Sequence, residues 1–212
     1  MNLEMIEINI ALVPSNYRQS NIFIDTSSSL KNKGGLFSLG TDTNIPHITL
    51  YTLAQKKDNL HLVISAINNL DLEKRKAFWC EACAFSFGRG FSKGYVDIEF
   101  HKTCELANLQ IEVVNALNPI RDGMRKSDSD AISWSEGEIL DNLNIYGYIP
   151  LGSRFRPHTT LTRFINDVGS KVLSADNISD FSHEFGYVAL CVAGENGVCE
   201  RIIESFEMST NL

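Results

Sequence analysis

Apolar residues alternate at the start of the chain. Ile6, Ile8, Ile10 and Leu12 stand at every second position, so residues 6–13 read as a half-buried strand. Pro14-Ser15-Asn16 supplies a stop and a helix N-cap, and a weakly patterned helix is expected to run to about Lys33, before Gly34-Gly35. Residues 47–53 form a second strand. From Asp58 onward Leu60, Val63, Ile64, Ile67 and Leu70 recur at helical spacing. Residues 77–87 and 94–100 read as two strands joined by a Gly-rich loop, 88–94. Thr103 then caps a helix with the stripe Leu106, Leu109, Val113, Val114 and Leu117, which Asn118-Pro119 ends. The segment 121–153 is polar and irregular and looks inserted, with an extra helix or a lid around Glu136 to Asn142. A further strand over Ser153 to Phe164 and a closing hairpin, turning at Gly194-Glu195-Asn196-Gly197, complete the chain. The order β-α-β-α-β-β-α-(segment)-β-β-β predicts one α+β domain over 1–212, built as two sheet-and-helix lobes about a cleft.

Composition narrows the class. The 212 residues are 43% apolar and 21% charged, an ordinary globular balance, and carry a formal charge of −7. That charge argues against a stable partnership with long nucleic acid, which needs a broad basic face, but leaves room for a small anionic ligand. No apolar run reaches the ~18 residues of a membrane span, and the first residues read as a strand, not a signal peptide. Five cysteines, an odd count, fit reduced thiols in a cytoplasm. Cys80 and Cys83 form a lone C-x-x-C, read as two small apolar residues of a strand and not as a zinc knuckle.

Two strands break the usual preference for β-branched and aromatic residues. One is Asn44–Leu53, NIPHITLYTL; the other is Ser153–Phe164, SRFRPHTTLTRF. Each contains Pro-His-x-Thr-Leu. On a strand, residues two apart share a face, so His47 projects with Thr49, and His158 with Thr160 and Thr162. Two imidazoles and two hydroxyls across one cleft suit phosphodiester cleavage. One His takes a proton from water and the other protonates the leaving oxygen, while Thr hydroxyls donate to the non-bridging oxygens. His-x-Thr alone is cheap: five His and ten Thr predict roughly a quarter of a match by chance. A third copy, His101-Lys102-Thr103, lacks the Pro and the Leu, and Thr103 there is a helix cap. A single His opening a strand is as readily a packed surface residue; the doubled five-residue motif favours chemistry.

The pair resembles the two-histidine (2H) phosphoesterase superfamily. The run Phe155-Arg156-Pro157-His158-Thr159-Thr160-Leu161-Thr162-Arg163 is similar to the bacterial RNA ligase-like cyclic phosphodiesterases. The closing hairpin and the opening ALVPSN fit as well, while 20–44 and 121–153 have no clear counterpart. The resemblance implies a bilobal, pseudo-symmetric fold and hydrolysis of 2′,3′-cyclic phosphates or 2′-5′ linkages, with no metal and no cofactor. It assigns catalysis to His47, Thr49, His158 and Thr160, with a nucleotide or short oligonucleotide as substrate and a monomer expected. It leaves two alternatives open: hydrolysis of a cyclic oligonucleotide signal, and a module that binds a nucleotide or RNA end without cleaving it. Arg163 matches a basic family position near the phosphate, although strict alternation puts it on the face opposite His158. Tyr51, by the same parity, falls on the cleft face, where it can stack on a base or fill the floor. Trp134 can close over a base or pack on its own lobe. Arg89 and Lys93 read as solvated loop charges. Trp79, Phe85 and Phe87 are expected in the core, and His61 and His183 in structural roles.

Overall fold

A computed structural model describes residues 4–19, 21–88, 93–166 and 177–209. Its elements are β1 (Met5–Pro14), α1 (Ile22–Asn32), β2 (Ile48–Lys56), α2 (Leu60–Asn68), β3 (Phe78–Cys80), β4 (Ala82–Phe87), β5 (Tyr95–Phe100), α3 (Cys104–Leu117), α4 (Lys126–Ala131), α5 (Gly137–Tyr146), β6 (His158–Arg163), β7 (His183–Ala193) and β8 (Cys199–Glu207). Among the described residues the strands form two antiparallel sheets. The larger runs β2-β1-β7-β3, with β8 also paired to β7; the smaller runs β4-β5-β6. The fold is α+β and two-lobed, with lobes of unequal size.

Each sheet borrows from the other half of the chain. β7 and β8 complete the sheet begun by β1 and β2, and α1 packs on β6. On β1, Ile8, Ile10 and Leu12 join the main core, while Ala11 and Val13 line a second buried cluster with Ile45, Ala189, Cys191 and Cys199. Both faces of β1 are therefore buried, more than its opening alternation suggests.

Three expectations change. The first helix begins at Ile22, and its cap is Asn21, whose Oδ1 accepts from the Phe23 and Ile24 N–H groups at 3.2 and 3.4 Å; Asn16 lies in a turn. The stretch 77–87 divides at Glu81, sending β3 to the large sheet and β4 to the small one. Cys80 and Cys83 thus sit in different strands, one buried and one exposed. Trp79 is 66% exposed because on short β3 its neighbours Phe78 and Cys80 take the core side; Phe85 and Phe87 do pack against the core. Thr103 caps α3 as expected, accepting from the Leu106 N–H at 3.2 Å. The segment 121–153 folds into α4, α5 and short 3-10 turns. Arg89 lies outside the described residues.

Candidate active site

The two motif strands are the facing edges of their sheets, β2 of the large and β6 of the small. A buried hydrogen bond ties them: Thr159 Oγ1 donates to the His47 carbonyl at 3.0 Å. Thr162 Oγ1 donates to the Phe37 carbonyl at 2.7 Å. The surplus threonines of β6 are therefore joints. Each pairs a carbonyl that burial would otherwise leave unsatisfied.

Both strands bulge at the motif leucine. Ile10 opposes Tyr51 and Ala11 opposes Thr49, leaving Leu50 as the extra residue. Val96 opposes Thr162 and Asp97 opposes Thr160, leaving Leu161 extra. A bulge inverts the alternation beyond it. Its spare carbonyl is taken by a helix side chain in each lobe. Gln110 of α3 donates to the Leu50 carbonyl at 3.2 Å, and Ser27 of α1 to the Leu161 carbonyl at 2.5 Å.

The inversion corrects two readings made by strict parity. Tyr51 shares the face of Ile10, has 0% exposure, donates to the Tyr146 carbonyl at 2.6 Å and packs edge-on against Tyr148. It has no surface to offer a base. Arg163 shares the face of Thr160 and His158. There its guanidinium lies 4.8 Å from the Tyr95 ring centroid and donates to Asn196 Oδ1 at 3.0 Å. Asn196 belongs to the β7–β8 turn, which is thereby a rim of the same cleft.

Each imidazole is held alike. His47 Nδ1–H donates to the Ile45 carbonyl at 2.8 Å, and His158 Nδ1–H to the Arg156 carbonyl at 2.7 Å. A carbonyl can only accept, so Nδ1 carries the hydrogen in both rings and Nε2 is left as the nitrogen that can take up a further proton. Burial holds His47 down, to about 4; hydrogen bonds with the Ile45 and Gly197 backbone pull upward, and a charge on His158 lowers it further. The two rings are therefore within electrostatic reach.

What stands behind each motif differs. Asn9 of β1, buried, donates from Nδ2 to Thr49 Oγ1 at 3.1 Å and approaches His47 Nε2 at 3.3 Å. Behind the second motif stand carboxylates. Thr160 Oγ1 donates to Asp97 Oδ1 at 2.8 Å, and Arg156 donates to Asp97 Oδ2 at 2.8 Å and to Glu99 Oε1 at 2.5 Å. Glu99 is directly opposite His158 on the ladder. Burial raises Glu99, but hydrogen bonds from Ser86 and Arg156 and the charges of Arg156 and His158 outweigh it, so its carboxyl lies below the usual range. The Thr160 hydrogen is thus committed to Asp97. Of the two motif hydroxyls, Thr49 accepts from Asn9, and no described side-chain hydrogen bond takes its own hydrogen.

Trp134 stands in a 3-10 turn between α4 and α5, 45% exposed. Its segment is anchored at the end of β2 away from His47, where Gly123 pairs with Ala54 and the Lys126 N–H donates to Glu7 at 2.8 Å. Arg125 of that segment pairs with Glu7 at 3.2 Å, and its charge reaches Tyr95 of the small sheet. Asn9, Asp97, Glu99, Arg156 and Asn196 were missed by sequence reasoning; only Arg156 carried a signal, inside the motif. Among the described residues no cluster of His, Cys, Asp or Glu is disposed to hold a metal ion, and no helix is long and apolar enough to cross a membrane.

With this geometry in place, the fold is similar to those of E. coli LigT, TT0787 of Thermus thermophilus and a crystal structure described as a phosphoesterase. E. coli LigT in its apo form superposes with a TM-score of 0.57 at 13% identity, covering 97% of this chain and 99% of that one. TT0787 of Thermus thermophilus gives 0.56 at 13%, covering 98% and 100%. A crystal structure described as a phosphoesterase gives 0.55 at 10%, covering 97% and 99%. At these identities the likeness is one of fold. No family model and no curated protein matches the sequence.

Proposed function

We propose that the chain is a phosphodiesterase that hydrolyses a 2′,3′-cyclic phosphate or 2′-5′ phosphodiester of a nucleotide or short oligonucleotide, by two-histidine acid/base catalysis without a metal. One observation carries the reading. Two imidazoles on facing strand edges are each tied through Nδ1, which makes Nε2 the nitrogen that gains or loses a proton, and one is held neutral by burial. His47 is the base and His158 the acid. His47 Nε2 takes a proton from water, and the water oxygen bonds to phosphorus. The P–O bond to the leaving oxygen breaks, and His158 Nε2–H supplies that oxygen with a proton. Both proton transfers are thereby accounted for by imidazoles. Thr49 donates to a phosphoryl oxygen, Thr160 lines the opposite wall, and Arg163 gives the phosphate a cation on the same face. The LigT complexes with phosphate and with 3′-AMP, solved on this fold, support an anionic, nucleotide-sized ligand. The chain works as a monomer in a reducing cytoplasm, where its thiols stay free.

The test is a panel of 2′,3′-cyclic mononucleotides, 2′-5′ oligoadenylates and cyclic dinucleotides, with product regiochemistry read for each. Turnover of one class, lost by at least ~10²-fold in His47→Ala and His158→Ala with folding intact, is expected. Full activity in either variant refutes the mechanism. Tight binding without turnover across the panel points to a binding module.

A further inference from the structure

Asn9 is the only side chain that bridges the two reacting groups of the first motif in the described hydrogen bonds. It sits in mid-strand on β1, opposite Thr52 of β2 and Cys191 of β7, so three strands fix its backbone. It is almost wholly buried, and its Nδ2 is shared between Thr49 Oγ1 at 3.1 Å and His47 Nε2 at 3.3 Å. An amide N–H can only donate, so both contacts take a lone pair. At Nε2 that opposes the arrival of a proton from the protein side. At Thr49 it leaves the hydroxyl hydrogen directed elsewhere. The second motif receives the reverse treatment: Asp97 accepts the Thr160 hydrogen, and Glu99 sets a carboxylate opposite His158. Two motifs of the same sequence thus stand before an amide donor in one lobe and before carboxylates in the other.

We propose that Asn9 is a positioning residue that fixes His47 as the proton acceptor and Thr49 as a hydrogen-bond donor, and so breaks the symmetry between the two motifs. The inference rests on the hydrolytic reading for its consequence, but not for its test. A proton shared among equivalent histidines gives no direction to the reaction. An amide behind one and carboxylates behind the other do. The groups that act on His47 are the charge of His158 and the Ile45 and Gly197 backbone; Arg163 lies on the His158 face of β6, and the buried Cys191 and Cys199 thiols of the β7–β8 hairpin pack with Ile45. The nearest carboxylate on β1 is Glu7, which is paired with Arg125. No carboxylate stands beside His47 Nε2 among the described contacts, so introducing one changes a single neighbour.

Asn9→Asp puts an acceptor where the donor was. The proton affinity of His47, read by NMR titration of its ring signals against pH, is expected to rise at least tenfold, and the acid limb of kcat/KM to move to higher pH with it. Asn9→Leu, which removes the donor without adding a charge, is expected to move both in the same direction by a smaller factor and serves if the carboxylate prevents folding. A His47 titration unmoved in either folded variant overturns the proposal, whatever the activity. A shifted titration in a protein that hydrolyses nothing in the panel upholds the role of Asn9 and refutes the hydrolytic reading instead.

Discussion

Arg156→Met tests the network behind the second motif most directly. The Asp97 side chain is 3% exposed and accepts from Arg156 and Thr160; the Arg156 side chain is 41% exposed. Removing one partner of a fully buried pair costs roughly 3–5 kcal/mol, because a charge is left behind without compensation. Here one partner is buried and the other stands half in water, so the expected loss is lower, about 2–3 kcal/mol. For a chain of this length that lowers Tm by about 5–10 °C. Glu99, 27% exposed, loses the same cation but can turn to solvent, and adds little. The assay is urea unfolding of wild type, Arg156→Met, Asp97→Asn and the double variant, with equal m-values as the condition for comparison. The double variant is expected to recover at least half of the loss, since a neutral amide at position 97 needs no cation. Unfolding of Arg156→Met within ~0.5 kcal/mol of wild type, or a double variant no better than the single one, refutes the reasoning. His158 should keep its orientation throughout, because its Nδ1 is held by the Arg156 main chain.

Thr159→Val removes the tie between the motif strands and leaves the His47 carbonyl without that donor; a loss of about 1–2 kcal/mol is expected by chemical unfolding, and an unchanged midpoint refutes it. His47 titrates near 6.5 when unfolded and about 4 when folded, so its contribution is complete above pH 6.5 and is lost as pH falls toward 4, because the unfolded chain binds the proton first. The difference is on the order of 3 kcal/mol. Stability should therefore fall more between pH 7 and 4.5 in wild type than in His47→Gln, and equal falls refute the buried neutral ring. Because imidazoles serve as both acid and base, EDTA should leave turnover unchanged; strong inhibition that added metal reverses counts against the mechanism.

The motifs were legible because their chemistry is local: a Pro, a His and a Thr at fixed steps on a strand put imidazole and hydroxyl on one face. The lobes followed from periodicity at β1, α2 and α3. What failed was counting through irregularity. Strict alternation puts Tyr51 on the cleft face, and it lies in the core because Leu50 bulges; Arg163, which the resemblance puts near the phosphate against alternation, shares the face of His158 because Leu161 bulges. The supporting groups could not be read at all. Asn9 looks like any polar residue of an alternating strand, and Asp97 and Glu99 like the solvent face of YVDIEF; only strand pairing reveals their neighbours. The break at Glu81 was hidden because 77–87 is continuous in hydrophobicity while its halves belong to different sheets.

The bulges make each histidine strand a ruler with a phase slip three residues past the His. Flattening a bulge with its extra residue kept, so that the leucine pairs in the ladder, would exchange the inward and outward sets of everything downstream. On β6 it would send Arg163 behind the sheet and bring Thr162 to the front; on β2 it would drive the Tyr51 ring out of its core. The distance from the motif to the end of its strand is thus as much a specification of the cleft as the residues in it. The latches that hold that distance, Ser27 and Gln110, lie on helices far from either motif in sequence. Backbone geometry at two points, and not residue type alone, decides which side chains a ligand meets.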